Sequence, residues 1–158
     1  ENKFIVSSDY EVKKSNDDIL SILIKYYKYS GGAHGIYEYV PYNIDLTSGN
    51  TFVLNDIFTQ NSNYEQVIND EIKSQIKTLN KEQGLPEDST QLYAFNKIKN
   101  NQKFYIKDDS IVIFFDLYEI APYVAGVPEF IIKKELINTL LIPKYKEIIF
   151  YSSKATTV

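Results

Sequence analysis

The chain has 158 residues, 44% apolar and 24% charged, which fits one globular domain and excludes a disordered segment. All 17 basic residues are lysines and the net charge is −4, so the arginine forks that grip phosphates and guanines are missing and nucleic acid is disfavoured as a partner. The lack of cysteine excludes a disulfide framework, a thiolate metal site and a thiol nucleophile, and no apolar run reaches membrane-span length.

In chain order, residues 4–12 and 19–29 are rich in β-branched and aromatic side chains and read as strands, with the polar "KKSNDD" turn between them. In the second strand Leu23, Lys25, Tyr27 and Tyr29 share one face, and Ile22, Ile24, Tyr26 and Lys28 share the other. Residues 36–46 form a third strand, in which Pro41 implies an edge or a bulge. After a turn at Gly49, "TFVL" reads as a short fourth strand, and "LNDIF" as a single helical turn.

The longest helical signal follows. Val67, Ile68, Ile72, Ile76 and Leu79 mark one stripe, Asn63 with Gln66 matches a capping box, and Gly84 supplies a stop. A second helix is expected over 88–97, with Asp88 as its cap. Then "KFYIK" and "SIVIFFDLYEI" flank a hairpin turn, and "IVIFF", apolar on both faces, is expected to be a central strand. "YEIAPYVAGVPEF" is loop-rich, and "FIIKKELINTLL" starts as a strand and finishes as a short helix. The order of elements predicts an α+β fold: a mainly antiparallel sheet with one long and one or two short helices packed on one face.

Candidate chemistry centres on "SGGAHGIYEYVPYNIDLTSG", which holds the sole histidine, His34, between glycines. A hydrolase would use His34 as a base with Ser30 or a carboxylate, yet no G-x-S-x-G elbow is present. The bland alternative is a sharp glycine turn on which the imidazole packs, and this reading is preferred, so no catalytic residue is assigned. "DLTSGNTFVLND" lacks the alternation and terminal Glu of a calcium loop; no metal site and no cofactor are expected. "SGGAHG" is neither a P-loop nor a dinucleotide fingerprint, because no lysine stands at the required spacing and a strand rather than a helix follows. Tyr37, Tyr39, Tyr42, Tyr118 and Tyr123 lie near the Gly/Pro-rich connections, where rigid aromatic side chains make good binding anchors.

Two segments, "YYKYSGGAHGIYEYVPYNIDLTSGNTFVLNDIF" and "FYIKDDSIVIFFDLYEIAPYVAGVPEFIIKKEL", carry a combination of motifs: "GGAH", "N-x-D-L-x-x-G", "L-x-D-I-F" and "YEIAPYVAG-x-P-x-F". In this combination and order the chain resembles the extracellular C-terminal domain of the RsiV-type anti-sigma factors, a domain also found beside peptidoglycan deacetylase domains. The resemblance implies a non-catalytic extracytoplasmic binding domain, secreted or anchored at the bacterial cell surface, with lysozyme or peptidoglycan fragments as partners. It divides the chain into the end of a preceding small β-rich subdomain over 1–29, the main domain over 30–150, and a poorly ordered tail over 151–158. Any membrane anchor is expected outside these residues. The expected binding positions are Ser30, Gly31, Gly32, Ala33, His34, Tyr37, Tyr118, Pro122, Tyr123 and Gly126, on two loops expected to lie close together.

Overall fold

The structure, a computed structural model, describes residues 4–151; the expected tail from 152 onward lies outside them. β1 (Ile5–Ser15) and β2 (Ile19–Tyr29) form an antiparallel hairpin in which Ile5 faces Tyr29 and Val12 faces Ile22. Asn16 builds the turn, its side-chain oxygen accepting from the Asp18 and Ile19 N–H groups at 3.0 and 2.8 Å. That cap lets β1 run on to Ser15, past a bulge between Val12 and Lys14.

β3 (Ile36–Asp45) pairs with nearly all of β2, from Lys28 opposite Ile36 to Ile19 opposite Asp45. Pro41 faces Leu23 within this ladder. β4 (Asn50–Thr51) adds only two residues to β3, so the expected "TFVL" strand is shorter and starts one residue earlier. The reason is burial: Phe52 and Leu54 turn into the core, and a 3-10 turn begins at Leu54 and runs to Ile57.

α1 (Tyr64–Glu82) lays the expected stripe inward, with Ile68 and Ile72 fully buried and Val67 and Leu79 half-buried. The expected capping box does not form. Asn63 is the N-cap residue but makes no side-chain cap bond, and Gln66 donates instead to Asp70 at 2.8 Å. Nor is there a helix over 88–97. The backbone from 85 to 103 is irregular because side chains and distant strands take its polar groups. Asn80 donates to the Glu87 and Ser89 carbonyls, Asn69 accepts from the Ile98 N–H, and Ala94 donates to the Ile120 carbonyl.

A second antiparallel sheet follows: β5 (Phe104–Lys107), β6 (Ser110–Phe114) and β7 (Glu129–Lys133), with β6 central as its two-sided apolar pattern requires. Ile111 and Ile113 face the cluster that holds the α1 isoleucines. Val112 and Phe114 face the other way, with Tyr105 and Leu23. The layers are therefore helix, three-stranded sheet, four-stranded sheet, an α+β fold. α2 (Lys134–Ile137), α3 (Pro143–Lys146) and a π turn over Glu147–Tyr151 are the last elements among the described residues.

Candidate functional site

The two sheets are joined by a polar pair, Ser21 and the motif residue Asn43. Asn43 accepts from the Ser21 hydroxyl at 2.7 Å and donates to the Phe104 carbonyl at 3.0 Å. Ser21 in turn accepts from the Ile106 N–H at 3.0 Å. Asp45 takes the Thr47 and Ser48 N–H groups on one oxygen and pairs with Lys144 through the other. Asp56 accepts from the Val53 N–H at 2.9 Å, and Leu54, Ile57 and Phe58 are buried. These motif positions hold the fold together.

The remaining motif positions meet at one end of the four-stranded sheet. Ser30, Gly31, Gly32, Ala33 and His34 form an exposed loop between β2 and β3. Gly31 and Gly32 hold φ of 102° and 100°, a backbone that side chains rarely adopt, and the Tyr29 hydroxyl donates to the Gly32 carbonyl at 2.9 Å. Gly35 is needed for a different reason: a Cβ there would stand 2.4 Å from the Tyr27 ring.

The second loop arrives from between β6 and β7. Its Tyr123 ring stacks on His34 with centroids 4.1 Å apart and planes 21° apart, and its hydroxyl donates to the Gly35 carbonyl at 3.3 Å. Tyr118 lies 5.7 Å from Tyr123, making a row of three rings from two loops. Gly126 passes beneath Tyr37, whose hydroxyl would lie 3.9 Å from a Cβ at that position. Pro122 is exposed beside the row. The two loops that carry the expected positions thus meet through the His34–Tyr123 stack and the Tyr37–Gly126 approach, from segments some ninety residues apart.

Tyr118 is 58% exposed yet held at φ 66°, in the left-handed region that costs a side-chain-bearing residue about 1 kcal/mol. The segment is fixed at its base by Glu119, which accepts from the Asp116 N–H at 2.8 Å and pairs with Lys99 at 2.6 Å. Ile120 and Ala121 are buried behind it. Tyr37 is pushed up from the ordinary phenol range by burial and by the neighbouring Tyr39 and Tyr123 hydroxyls, against the pull of Lys25. It therefore stays a neutral donor. The His34 Nδ1 lies 3.2 Å from the Gly35 carbonyl, so its polar contact is to its own neighbour rather than to Ser30.

Two contributors escape the sequence reading. Val124 is 92% exposed at the tip of the second loop, where no periodicity signals that an apolar side chain faces solvent. Lys25 lies over the Tyr37 ring at 4.8 Å; strand alternation put a lysine on the face with Leu23, a signal that could have drawn attention to it. Among the described residues no helix is long and apolar enough to cross a membrane.

Fold and surface together define a two-sheet α+β domain that displays a pair of aromatic loops. A family profile described as a protein of unknown function (DUF3298) matches residues 55–135, just over half of the chain, and the chain belongs to that family. A second profile, described as deacetylase PdaC, matches residues 1–37. The chain is 32% identical to anti-sigma-V factor RsiV of Bacillus subtilis (strain 168) over 146 residues, covering 87% of this chain and 48% of that protein. It is 28% identical over 137 residues to peptidoglycan-N-acetylmuramic acid deacetylase PdaC of the same organism, covering 87% of this chain and 29% of that protein. The chain thus spans less than half the length of these relatives. A crystal structure of a DUF3298 member from Bacteroides fragilis superposes with TM-score 0.73 at 28% identity, over 92% of this chain and 56% of that one. A Pseudomonas aeruginosa member shares the fold with TM-score 0.71 at 21% identity, over 89% and 64%.

Proposed function

We propose that this is a non-catalytic, extracytoplasmic binding domain whose two loops seat a protein ligand, with lysozyme as the first candidate. The observation that carries the reading is the row Tyr118–Tyr123–His34, built from two loops, with exposed Val124 next to Tyr123 in the chain. Rigid aromatic side chains bury area on binding at little entropic cost, and strained backbone at Tyr118 is the kind of feature that a packed scaffold maintains for recognition. His34 spends its ring on stacking and its Nδ1 on a backbone carbonyl, which suits a contact surface better than a general base. Kinship with an anti-sigma factor supports a sensing role at the cell surface. The chain's charge of −4 favours encounter with a strongly basic protein such as lysozyme.

Calorimetric titration with lysozyme tests this. Binding is expected, and Tyr123→Ala should weaken it more than tenfold, about 1.4 kcal/mol, while leaving the fold intact. Absence of heat with lysozyme, beside clear binding of muropeptides, would replace the reading with a cell-wall glycan-binding accessory domain. The kinship with a peptidoglycan deacetylase makes that the second choice.

A further inference from the structure

Beside the loops, but facing between the sheets, lies a cleft of about 200 Å³ lined by Glu11, Lys13, Leu23, Tyr37, Tyr39, Val127 and Glu129. Its charges are already committed in a way that narrows the ligand. Lys25 lies 4.8 and 5.9 Å from the Tyr37 and Tyr39 ring centroids, and Lys13 lies 4.9 Å from that of Tyr105. A further cation would meet two ammonium groups near the rings it would seek. An anion would meet Glu11 on one wall and Glu129 on the other, with Lys13 already paired to Glu11 at 2.5 Å. A wholly apolar ligand would strip water from both carboxylates without replacing their hydrogen bonds.

What remains is an uncharged ligand with many hydroxyls. Carboxylates accept from hydroxyl and amide groups, while lysine and tyrosine donate or accept in return. Tyr37 and Tyr39 meet edge to face at 5.7 Å and offer ring surface, and Val127 with the nearly buried Leu23 makes an apolar corner. The volume is below the roughly 300–1,000 Å³ of sites for drug-sized molecules, and so admits one ring rather than a chain.

We propose that this inter-sheet cleft is a subsite for a single uncharged hexopyranose ring, with an N-acetylated one favoured by the Leu23–Val127 corner. The subsite adjoins the two-loop surface through Tyr37, and its carboxylates, Glu11 and Glu129, lie outside that surface.

The test is a titration of the isotope-labelled full chain with chitotriose, read by amide chemical-shift perturbation, with maltotriose in parallel. Shifts are expected at Glu11, Tyr39, Val127 and Glu129, with a dissociation constant on the order of 1 mM for a single occupied ring. Maltotriose should bind several-fold more weakly. Glu11 and Glu129 are both exposed, so the double variant Glu11→Gln/Glu129→Gln keeps the fold, as unchanged thermal unfolding would verify. It should weaken chitotriose at least tenfold and slow lysozyme association only modestly through its smaller net charge, whereas Tyr123→Ala should weaken lysozyme and leave chitotriose binding in place. No shifts at about 20 mM sugar, shifts confined to the His34 and Tyr123 loops, or full binding by the double variant would each overturn the proposal.

Discussion

At the scale of single residues, the sequence motifs divide into those that face the core and those that face solvent. Asn43 and Asp45 are buried and spend their polar atoms on backbone and neighbouring side chains, whereas His34, Pro122 and Tyr118 stay exposed. Tyr118 shows what exposure can cost. Its φ of 66° is unfavourable for any residue with a Cβ, so Tyr118→Gly should be about 1 kcal/mol more stable than Tyr118→Ala. Both variants lose the ring, and urea unfolding of the pair isolates the backbone. Equal stability, or the usual advantage of Ala over Gly, would mean that Tyr118 carries no such strain.

At the scale of elements, periodicity made α1 legible because its apolar residues recur every three or four positions against a flat sheet. Ile72 is fully buried at the centre of that contact, so Ile72→Ala should cost about 2–5 kcal/mol, while Lys73→Ala on the exposed side should stay within about 0.5 kcal/mol. Chemical denaturation distinguishes the two directly. The stretch 88–97 misled for a physical reason. Its local pattern suits a helix, but Asn80 and Asn69 offer its backbone long-range partners, and Tyr93, Phe95 and Ile98 pack into the core from an irregular path. Likewise the Asn63 and Gln66 spacing matched a capping box that α1 does not form, because Gln66 finds Asp70 one turn on.

At the scale of the whole molecule, the Asp45–Lys144 pair ties the end of β3 to α3, across nearly a hundred residues of sequence. Lys144 holds the Asp45 carboxyl down to about 2 from 3.8, helped by hydrogen bonds from Ser48 and opposed by burial. A carboxyl depressed in the folded state contributes stability that is complete above its unfolded pKa and is lost as pH falls through the folded one. Stability should therefore decline between about pH 4 and pH 2, with Asp45→Asn less stable at neutral pH and flatter across that window. Unfolding midpoints measured from pH 2 to pH 6 check both. Identical slopes for the two proteins would remove the pair from the account.

The sequence by itself determined the order of the strands, the place of the long helix α1, the central position of β6 and the class of the fold, because these follow from local periodicity and from glycine and proline placement. It also carried the two loop motifs, though not which of their residues are braces and which are surface. The tertiary structure alone decided that His34 stacks on Tyr123, that Val124 stands in solvent, and that a cleft opens between the sheets beside Tyr39. Such contacts join residues about ninety or more positions apart, and no periodic pattern in one segment encodes what another segment will bring against it.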